Sequence, residues 1–257
     1  NDTGFAVLDI GNTSTALGWY SGGRVQVRRS LDRQRTAQPA GRAAALESLL
    51  DGRQLRGTVM ASVVPAAAEA WRQTLAAVAS QPVLEVGPSL DLGIPISYPT
   101  PDTIGADRLA NACAAAERYG APVIVADFGT ALTFDVVDGR KGYIGGIIAP
   151  GLPLMFDYLA ERTALLPHIS RGEVPRVVGQ STEEAIRSRA RWGYLGMVRE
   201  ILERVRAELG EPRAAECATG GFAPWVLRDE LPEIHRDPDL TLFGLGRIGD
   251  RNLTGTG

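Results

Sequence analysis

Two aspartates each stand at the end of an apolar run and are followed by a glycine turn and hydroxyl residues. The first motif, Asp-Ile-Gly-Asn-Thr, begins at Asp9, and the second, Asp-Phe-Gly-Thr-Ala, begins at Asp127. A glycine turn after a buried strand lets backbone N–H groups approach an anion closely, and an aspartate there can hold a cation directly or through water. Two such turns facing each other would form a cleft for a nucleoside triphosphate. The pair therefore indicates phosphoryl transfer.

Either copy alone is also typical of an ordinary turn, because Asp and Gly are common turn residues. The presence of two copies favours a functional site over an ordinary turn, since each copy is followed by a second β-like run. Residues 5–27 and 123–148 both show the pattern strand, glycine turn, strand, hairpin turn and strand. We therefore expect a duplicated α/β architecture divided near residues 120–122, with domains at residues 1–120 and 121–257.

Between the two turns, Gly-Ala-Asp-Arg at residues 105–108 opens a predicted helix, directly after a Pro- and Gly-rich loop at residues 91–103. A helix N-terminus carries unsatisfied N–H groups and a partial positive charge, so in the structural interpretation Asp107 stabilises the helix. In the functional interpretation, Asp107 accepts a proton from an attacking hydroxyl, and Arg108 or the N–H groups bind an anionic group of the substrate. The loop is long enough to suggest that it encloses a small substrate.

Two further segments allow both a structural and a functional interpretation. Thr219 and the two glycines after it form either a simple loop or a seat for an adenine or ribose ring, and the two readings carry equal weight. Ser181 followed by Thr182 and two glutamates is first of all a helix N-cap. The Thr182 hydroxyl could still be offered to a ligand.

The composition is that of an ordinary globular protein, with 257 residues, 44% hydrophobic, 22% charged and a net charge of −3. The apolar stretches are short or interrupted by Gly and Pro, so none looks membrane-spanning. Two cysteines in unrelated contexts, and no visible secretory signal, favour a cytoplasmic protein. The basic residues are scattered, so no nucleic-acid surface is indicated. A mild local excess is best interpreted as a solvated edge; it comprises Arg24, Arg28, Arg29, Arg33 and Arg35.

Hydrophobic periodicity and Gly or Pro punctuation predict the remaining elements. Further strands are expected at residues 57–64, 82–86 and 214–219. Helices are expected at residues 42–50, 66–79, 105–119, 152–161, 182–209 with a bend near Gly193, from residue 222, and at 240–252.

Together, these segments resemble the type III pantothenate kinases, members of the actin-like superfamily that also includes sugar kinases, acetate kinase and heat-shock chaperones. The match runs along nearly the whole chain, and it is specific because all of its motifs occur in order. Besides the segments above, the motifs are Tyr98 in the loop, Gly-Gly-Ile-Ile-Ala-Pro-Gly at residues 145–151, Thr-Ala-Leu-Leu-Pro at 163–167 and Asp-Leu-Thr-Leu-Phe-Gly-Leu at 239–245.

The resemblance implies two ribonuclease-H-like domains with the active site in the cleft between them. It implies ATP-dependent phosphorylation of the primary hydroxyl of pantothenate, the first step toward coenzyme A. The cofactors implied are ATP, Mg²⁺ and a monovalent cation, K⁺ or NH₄⁺, and the implied assembly is a homodimer.

The resemblance also assigns roles to residues. Asp107 would be the general base, Asp127 would bind the monovalent cation, and Asp9 would help to place the Mg²⁺. Pantothenate would contact the loop, the helix start and the Ser-Thr pair, the last from a neighbouring subunit; these residues are Tyr98, Gly105, Ala106, Asp107, Arg108 and Thr182. ATP would contact the two turns, at Asp9, Ile10, Gly11, Asn12, Thr13, Ser14, Thr15, Ala16 and Thr130.

The chain departs from the family pattern at Arg189, where relatives often have a glycine after the serine, and this adds bulk and charge near the expected substrate or dimer surface. Two rival functions remain at this stage. One is a kinase of the same superfamily with another hydroxyl acceptor such as a sugar. The Gly-Ala-Asp-Arg motif argues against it, because sugar kinases lack this motif. The other is a non-catalytic regulatory accessory factor on the same scaffold. The presence of Asp9, Asp107 and Asp127 favours the kinase.

Overall fold

The chain forms two five-stranded sheets with the same connectivity. A computed structural model describes residues 2–78, 83–162, 169, 172–174 and 176–253. In each sheet three consecutive strands lie side by side, and two later strands extend the sheet beyond the first of them. This arrangement confirms the duplicated α/β architecture expected from the repeated motifs. The Thr-Ala-Leu-Leu-Pro motif at residues 163–167 lies outside the described residues.

The first sheet contains β1 (Thr3–Ile10), β2 (Ser14–Ser21), β3 (Arg24–Asp32), β4 (Gln54–Ser62) and β5 (Val83–Glu85). Its order is β3-β2-β1-β4-β5. β1 pairs antiparallel with β2 and parallel with β4, and β4 pairs parallel with β5. The carboxyl ends of three parallel strands therefore lie along one edge of the sheet, where Ile10 stands opposite Ser62. Ligands of α/β proteins characteristically bind at such an edge.

The second sheet contains β6 (Val123–Phe128), β7 (Ala131–Asp138), β8 (Gly142–Pro150), β9 (Ala215–Thr219) and β10 (His235–Arg236). Its order is β10-β9-β6-β7-β8, the same pattern as in the first sheet. β6 pairs antiparallel with β7, and β9 pairs parallel with both β6 and β10. Asp127 thus stands opposite Thr219 at the carboxyl ends of two parallel strands.

Nine α-helices are present in the described residues, and every one of them is too short or too polar to cross a membrane. The helix expected across residues 182–209 is interrupted by a π-helical turn at Arg189–Gly193, next to the expected bend. The helices are α1 (Arg33–Ala37), α2 (Pro39–Leu50), α3 (Pro65–Val78), α4 (Ala106–Tyr119), α5 (Leu152–Arg162), α6 (Thr182–Ser188), α7 (Tyr194–Leu209), α8 (Ala223–Leu227) and α9 (Leu240–Asn252).

The chain divides into two compact units. The first contains the chain up to Gly120, residues 139–145 and the chain from Asp239 onward; the second contains residues 121–138 and 146–238. The hairpin between β7 and β8 and the helix α9 therefore pack with the first unit, although both follow Gly120 in the sequence.

Helix α9 packs closely against α4 within the first unit. A Cβ added at Gly244 would overlap the carbonyl oxygen of Ala110, so the two helix backbones approach as closely as they do only because Gly244 lacks a side chain. Further along α4, Glu117 forms ion pairs with Arg247 at 2.6 Å and with Arg251 at 3.0 Å. The helix that begins with the Gly-Ala-Asp-Arg motif is thus held along its length by α9.

Candidate active site

The first glycine turn connects β1 to β2 at the surface of the first unit. The N–H of Gly11 donates to the carbonyl oxygen of Ser14 at 3.0 Å, which closes the turn. Asn12, Thr13 and Ser14 are exposed, as a phosphate-binding turn requires. The flanking residues Ile10 and Thr15 are only 1% and 2% exposed, so they support the turn from beneath and offer almost no surface to a ligand.

The second glycine turn connects β6 to β7 in the second unit and has a similar closure, with the Gly129 N–H donating to the Ala131 carbonyl at 3.0 Å. Asp127, at the end of β6, and Thr130 are half-buried. A Cβ added at Gly151 would overlap the Thr130 carbonyl oxygen, so the start of α5 is packed tightly against this turn. Each unit therefore places its Asp-x-Gly motif at the carboxyl end of a central strand, as the sequence predicts.

The Thr-Gly-Gly segment after β9 lies directly against Asp127. Gly220 has a φ of +90°, which favours glycine, and a Cβ at this position would lie 2.6 Å from Asp127 Oδ1. The N–H of Phe222 donates to the Phe128 carbonyl at 3.1 Å and fixes this approach. Glycine is therefore required here, because a Cβ would overlap both the carboxylate and the backbone of Phe128.

Asp127 supplies a carboxylate oxygen of the kind that hard cations prefer. Gly220 packs so closely here that an added Cβ would lie 2.6 Å from Asp127 Oδ1 and equally close to the backbone of Phe128. No group of three or more His, Cys, Asp or Glu that could hold a metal occurs in the described part of the chain. Mg²⁺ commonly binds through one or two carboxylates together with substrate phosphates, and Asp9 at the end of β1 is suited to that role.

Asp107 lies in the first turn of α4, where its carboxylate turns back over the helix start. Gly105 is the N-cap residue, and Asp107 Oδ1 accepts a hydrogen bond from the Arg108 N–H at 2.9 Å. A Cβ at Gly105 would lie 2.5 Å from Asp107 Oδ1, so the glycine makes room for the carboxylate. Burial raises the pKa of Asp107, while the hydrogen bond and charge of Arg108 lower it in part. A partly desolvated carboxylate at a helix start is well suited to accept a proton.

The raised pKa of Asp107 leads to a prediction about stability. Above the ordinary Asp pKa of 3.8 the unfolded chain loses its proton more readily than the folded protein, so ionised Asp107 lowers the free energy of unfolding. We expect Asp107→Asn to raise the Tm by a few degrees at pH 8, and this gain to vanish as the pH falls toward 3.8. Thermal unfolding at both pH values would measure this, with the exposed Asp102→Asn as the matched control. A lower Tm for Asp107→Asn at pH 8 would contradict it.

Tyr143, on β8, joins two of the predicted substrate residues within the first unit. Its ring is fully buried and meets Tyr98 edge-to-face at a centroid distance of 6.1 Å. The Arg108 guanidinium lies 6.0 Å from the centre of the same ring. The Tyr143 backbone donates to the Pro95 carbonyl at 2.9 Å and accepts from the Ser97 N–H at 2.8 Å, which fixes the loop that carries Tyr98.

We expect Tyr143→Leu to raise the KM for the acceptor substrate on the order of tenfold, with a smaller change in kcat. A tenfold change is equivalent to about 1.4 kcal/mol of binding free energy. The reason is that both Tyr98 and Arg108 would lose the ring that orients them. Tyr143→Phe keeps the ring and should behave nearly as the wild type. Steady-state kinetics would show this, and equal KM values for the Leu and Phe variants would refute the positioning role.

A cavity of about 350 Å³ in the first unit adjoins the start of α4. Its walls include Ser62 and Val63 at the end of β4, Val86 after β5, and Ala106. The Val63 N–H donates to the Ile10 carbonyl at 3.2 Å, so this wall is bonded to the base of the first glycine turn. The structure thereby brings the predicted nucleotide turn and the Gly-Ala-Asp-Arg motif to the same region of the first unit.

Thr182 is the exposed first residue of α6 in the second unit. Ser181 caps this helix by accepting from the Glu184 N–H at 3.1 Å, which confirms the predicted N-cap. Arg189, which departs from the family pattern, is the first residue of the π-helical turn. Its guanidinium donates to the carbonyl of Met155 on α5. The added bulk of this side chain is accommodated by a contact with a neighbouring helix.

Sequence reasoning missed the roles of Tyr143 and Val63. Tyr143 lies two residues before the Gly-Gly motif, and Val63 precedes Pro65 in a Ser-Val-Val-Pro segment at the end of a predicted strand. Both positions carried a local signal of a strand end or turn. Neither position indicated which residues it would contact, because these contacts join segments far apart in the chain.

The sequence matches a family model described as type III pantothenate kinase over residues 5–204. The type III pantothenate kinase of Akkermansia muciniphila is 47% identical over 208 residues, which cover 81% of this chain and 84% of the relative. That of Acidiphilium cryptum is 42% identical over 253 residues, which cover 96% of this chain and 94% of the relative.

Solved structures of low sequence identity share the fold. A Campylobacter jejuni protein assigned to the Baf family of transcriptional activators has a TM-score of 0.58 at 16% identity, covering 95% of this chain and 97% of its own. An inorganic polyphosphate/ATP-glucomannokinase from an Arthrobacter species has a TM-score of 0.50 at 15% identity, covering 96% and 99%. These likenesses concern the fold alone and agree with the actin-like, ribonuclease-H-like class. The family model and the two close relatives show that the chain belongs to the type III pantothenate kinase family.

Proposed function

We propose that the protein phosphorylates the primary hydroxyl of pantothenate with ATP, the first step of coenzyme A biosynthesis. The observation that carries this proposal is the Asp107 carboxylate. It is partly desolvated, has a raised pKa, and lies at a helix start beside a cavity whose wall is bonded to the first glycine turn. Membership of the kinase family supports the nucleotide and the acceptor.

For ATP, we propose that residues 9–16 and Thr130 bind the nucleotide. The exposed backbone of Asn12 and Thr13 would donate to phosphate oxygens, as anion-binding turns do. Asp9 would hold Mg²⁺ together with the phosphates. The bound Mg²⁺ supplies positive charge that offsets the charge developing on the transferred group.

For the acceptor, we propose that Tyr98, Arg108 and the backbone at the start of α4 hold pantothenate. Arg108 carries a fixed positive charge that suits the carboxylate of pantothenate. Thr182 would complete the site from a neighbouring subunit, which makes a homodimer part of the proposal. A cytoplasmic location agrees with Cys113 and Cys217, which are buried and form no disulfide in the described part of the chain.

For the monovalent cation, we propose Asp127 as the binding residue. The support is the oxygen character of the donor and its position at the carboxyl end of β6, beside the second glycine turn. A K⁺ or NH₄⁺ ion at this carboxylate would add to the positive charge near the phosphates.

Phosphoryl transfer demands mainly positioning and charge stabilisation from a protein. Asp107 would accept the hydroxyl proton, and because burial raises its pKa it is a stronger base than an exposed aspartate. The Arg108 N–H holds the carboxylate in one orientation at 2.9 Å. Tyr98 and the packed loop would exclude water from the acceptor.

The deciding experiment is ADP release with ATP, Mg²⁺ and pantothenate, with and without K⁺, measured against a panel of sugars. Turnover with pantothenate that K⁺ stimulates supports the proposal. Turnover only with a sugar would refute pantothenate as the acceptor but would still support kinase activity. No turnover with any acceptor, in a protein that still binds ATP, would favour a regulatory role instead.

A further inference from the structure

We infer that Arg33 is a nucleotide-binding residue whose guanidinium binds the phosphate chain of ATP, a role that rests on the proposed function of the first glycine turn. In the sequence, Arg33 belongs to a basic run that resembles a solvated edge. In the structure, its side chain contacts the first glycine turn.

Strand pairing places the backbone of Arg33 next to the glycine turn. β2 and β3 pair antiparallel with Ser14 opposite Asp32, so β3 ends beside the point where β2 begins. The Asp32 side chain then accepts from the Arg35 N–H at 2.7 Å and caps α1. Arg33, the first residue of α1, is therefore fixed at the same edge of the sheet as residues 11–13.

The side chain of Arg33 reaches the turn itself. Its Nη1 donates to the carbonyl oxygen of Asn12 at 3.1 Å, and both residues are exposed. A guanidinium has five N–H donors in a planar fork. The group can therefore hold the Asn12 carbonyl and bind a phosphate oxygen at the same time.

Other arginines of the basic run are directed elsewhere. Arg28 lies 3.6 Å from Asp239, and Arg29 donates to the Ser48 side chain at 2.5 Å. Arg24 stands at the opposite end of β3, where it pairs with Ser21. Arg33 thus places a positive charge at a turn that already offers N–H groups to an anion. Arg–phosphate hydrogen bonds are charge-assisted and often bidentate, so the contact would be strong.

The test is the affinity for ATP, ADP and AMP, measured by titration calorimetry without pantothenate on the whole chain. Arg33→Ala should weaken ATP binding by about tenfold, as expected for one lost charge-assisted contact, and AMP binding much less. Arg33→Lys should retain part of the ATP affinity. Arg24→Ala removes the same charge from the other end of β3 and should bind ATP as the wild type does.

Equal ATP affinities for the Arg33→Ala and Arg24→Ala variants would overturn the inference. So would an equal loss of ATP and AMP affinity, because that would indicate damage to the turn rather than a lost phosphate contact. The proposed function is tested separately by pantothenate turnover of the wild type. A wild type that binds ATP but does not phosphorylate pantothenate would refute that function without changing the result for Arg33.

Discussion

Replacing Asp107 with Asn is expected to lower kcat for pantothenate phosphorylation by about 10²–10⁴-fold, the usual contribution of a general base. The amide keeps the shape of the side chain but cannot accept the hydroxyl proton. ATP affinity should change little, because Asp107 is not among the residues proposed to contact the nucleotide. ADP release under saturating substrates measures the loss, and Asp102→Asn, an exposed change five residues earlier, serves as the control.

The pH profile separates a base from a merely structural acid. Burial raises the pKa of Asp107, so wild-type activity should decline as the pH falls through this raised value and Asp107 takes up its proton. The residual activity of Asp107→Asn should lack this acidic decline. An Asn variant that turns over at the wild-type rate, or shows the same acidic decline, would disprove the assignment.

Replacing Asp127 with Ala is expected to abolish the stimulation by K⁺ or NH₄⁺ and to lower kcat/KM by about 100-fold, in the range found when metal-site groups are removed. The physical reason is the loss of the carboxylate oxygen that would hold the cation. Initial rates in KCl, NH₄Cl, NaCl and choline chloride at constant ionic strength would measure the response. A variant that keeps the wild-type preference among these salts would rule out the role.

Gly220→Ala tests the same site without removing charge. Its Cβ would lie 2.6 Å from Asp127 Oδ1 and equally close to the backbone of Phe128, so both must shift and the cation response should be lost or strongly weakened. The matched control is Gly210→Ala, because Gly210 also has a positive φ, +66°, but an added Cβ would meet nothing within 4 Å. Both substitutions strain the backbone, and only the one at Gly220 should alter the salt dependence.

Much of this fold is predictable from local sequence signals, that is, from residues close to each turn or helix end. The glycine turn after β1, the stop of α4 at Gly120 and the Ser181 cap are each set by residues within one turn of the chain, and all three were predictable. The interruption near Gly193 was also expected, although its π-helical form was not. A local signal is sufficient where a single residue fixes the backbone, as glycine does at the φ of +78° found for Gly120.

The site residues that escaped prediction depend on pairing between distant segments. Tyr143 gains its role because Pro95 and Ser97 pair with it, and Val63 because it bonds to Ile10. Arg33 reaches Asn12 only because β2 and β3 adopt one register. Short α1 carries no apolar periodicity, since none of its residues is buried, and so it gave no helical signal. Hydrophobic patterning predicts which face of an element is buried, but not which partner covers it.

The packing of α9 on α4 also bears on how the nascent chain matures at the ribosome. α4 leaves the exit tunnel long before α9, and residues 120–239 must be translated in between. At about 5–20 residues per second, this interval is on the order of 10 s. During that time the α4 surface around Ala110 lacks the helix that later covers it. The first unit therefore completes its packing only after its C-terminal helix has been made.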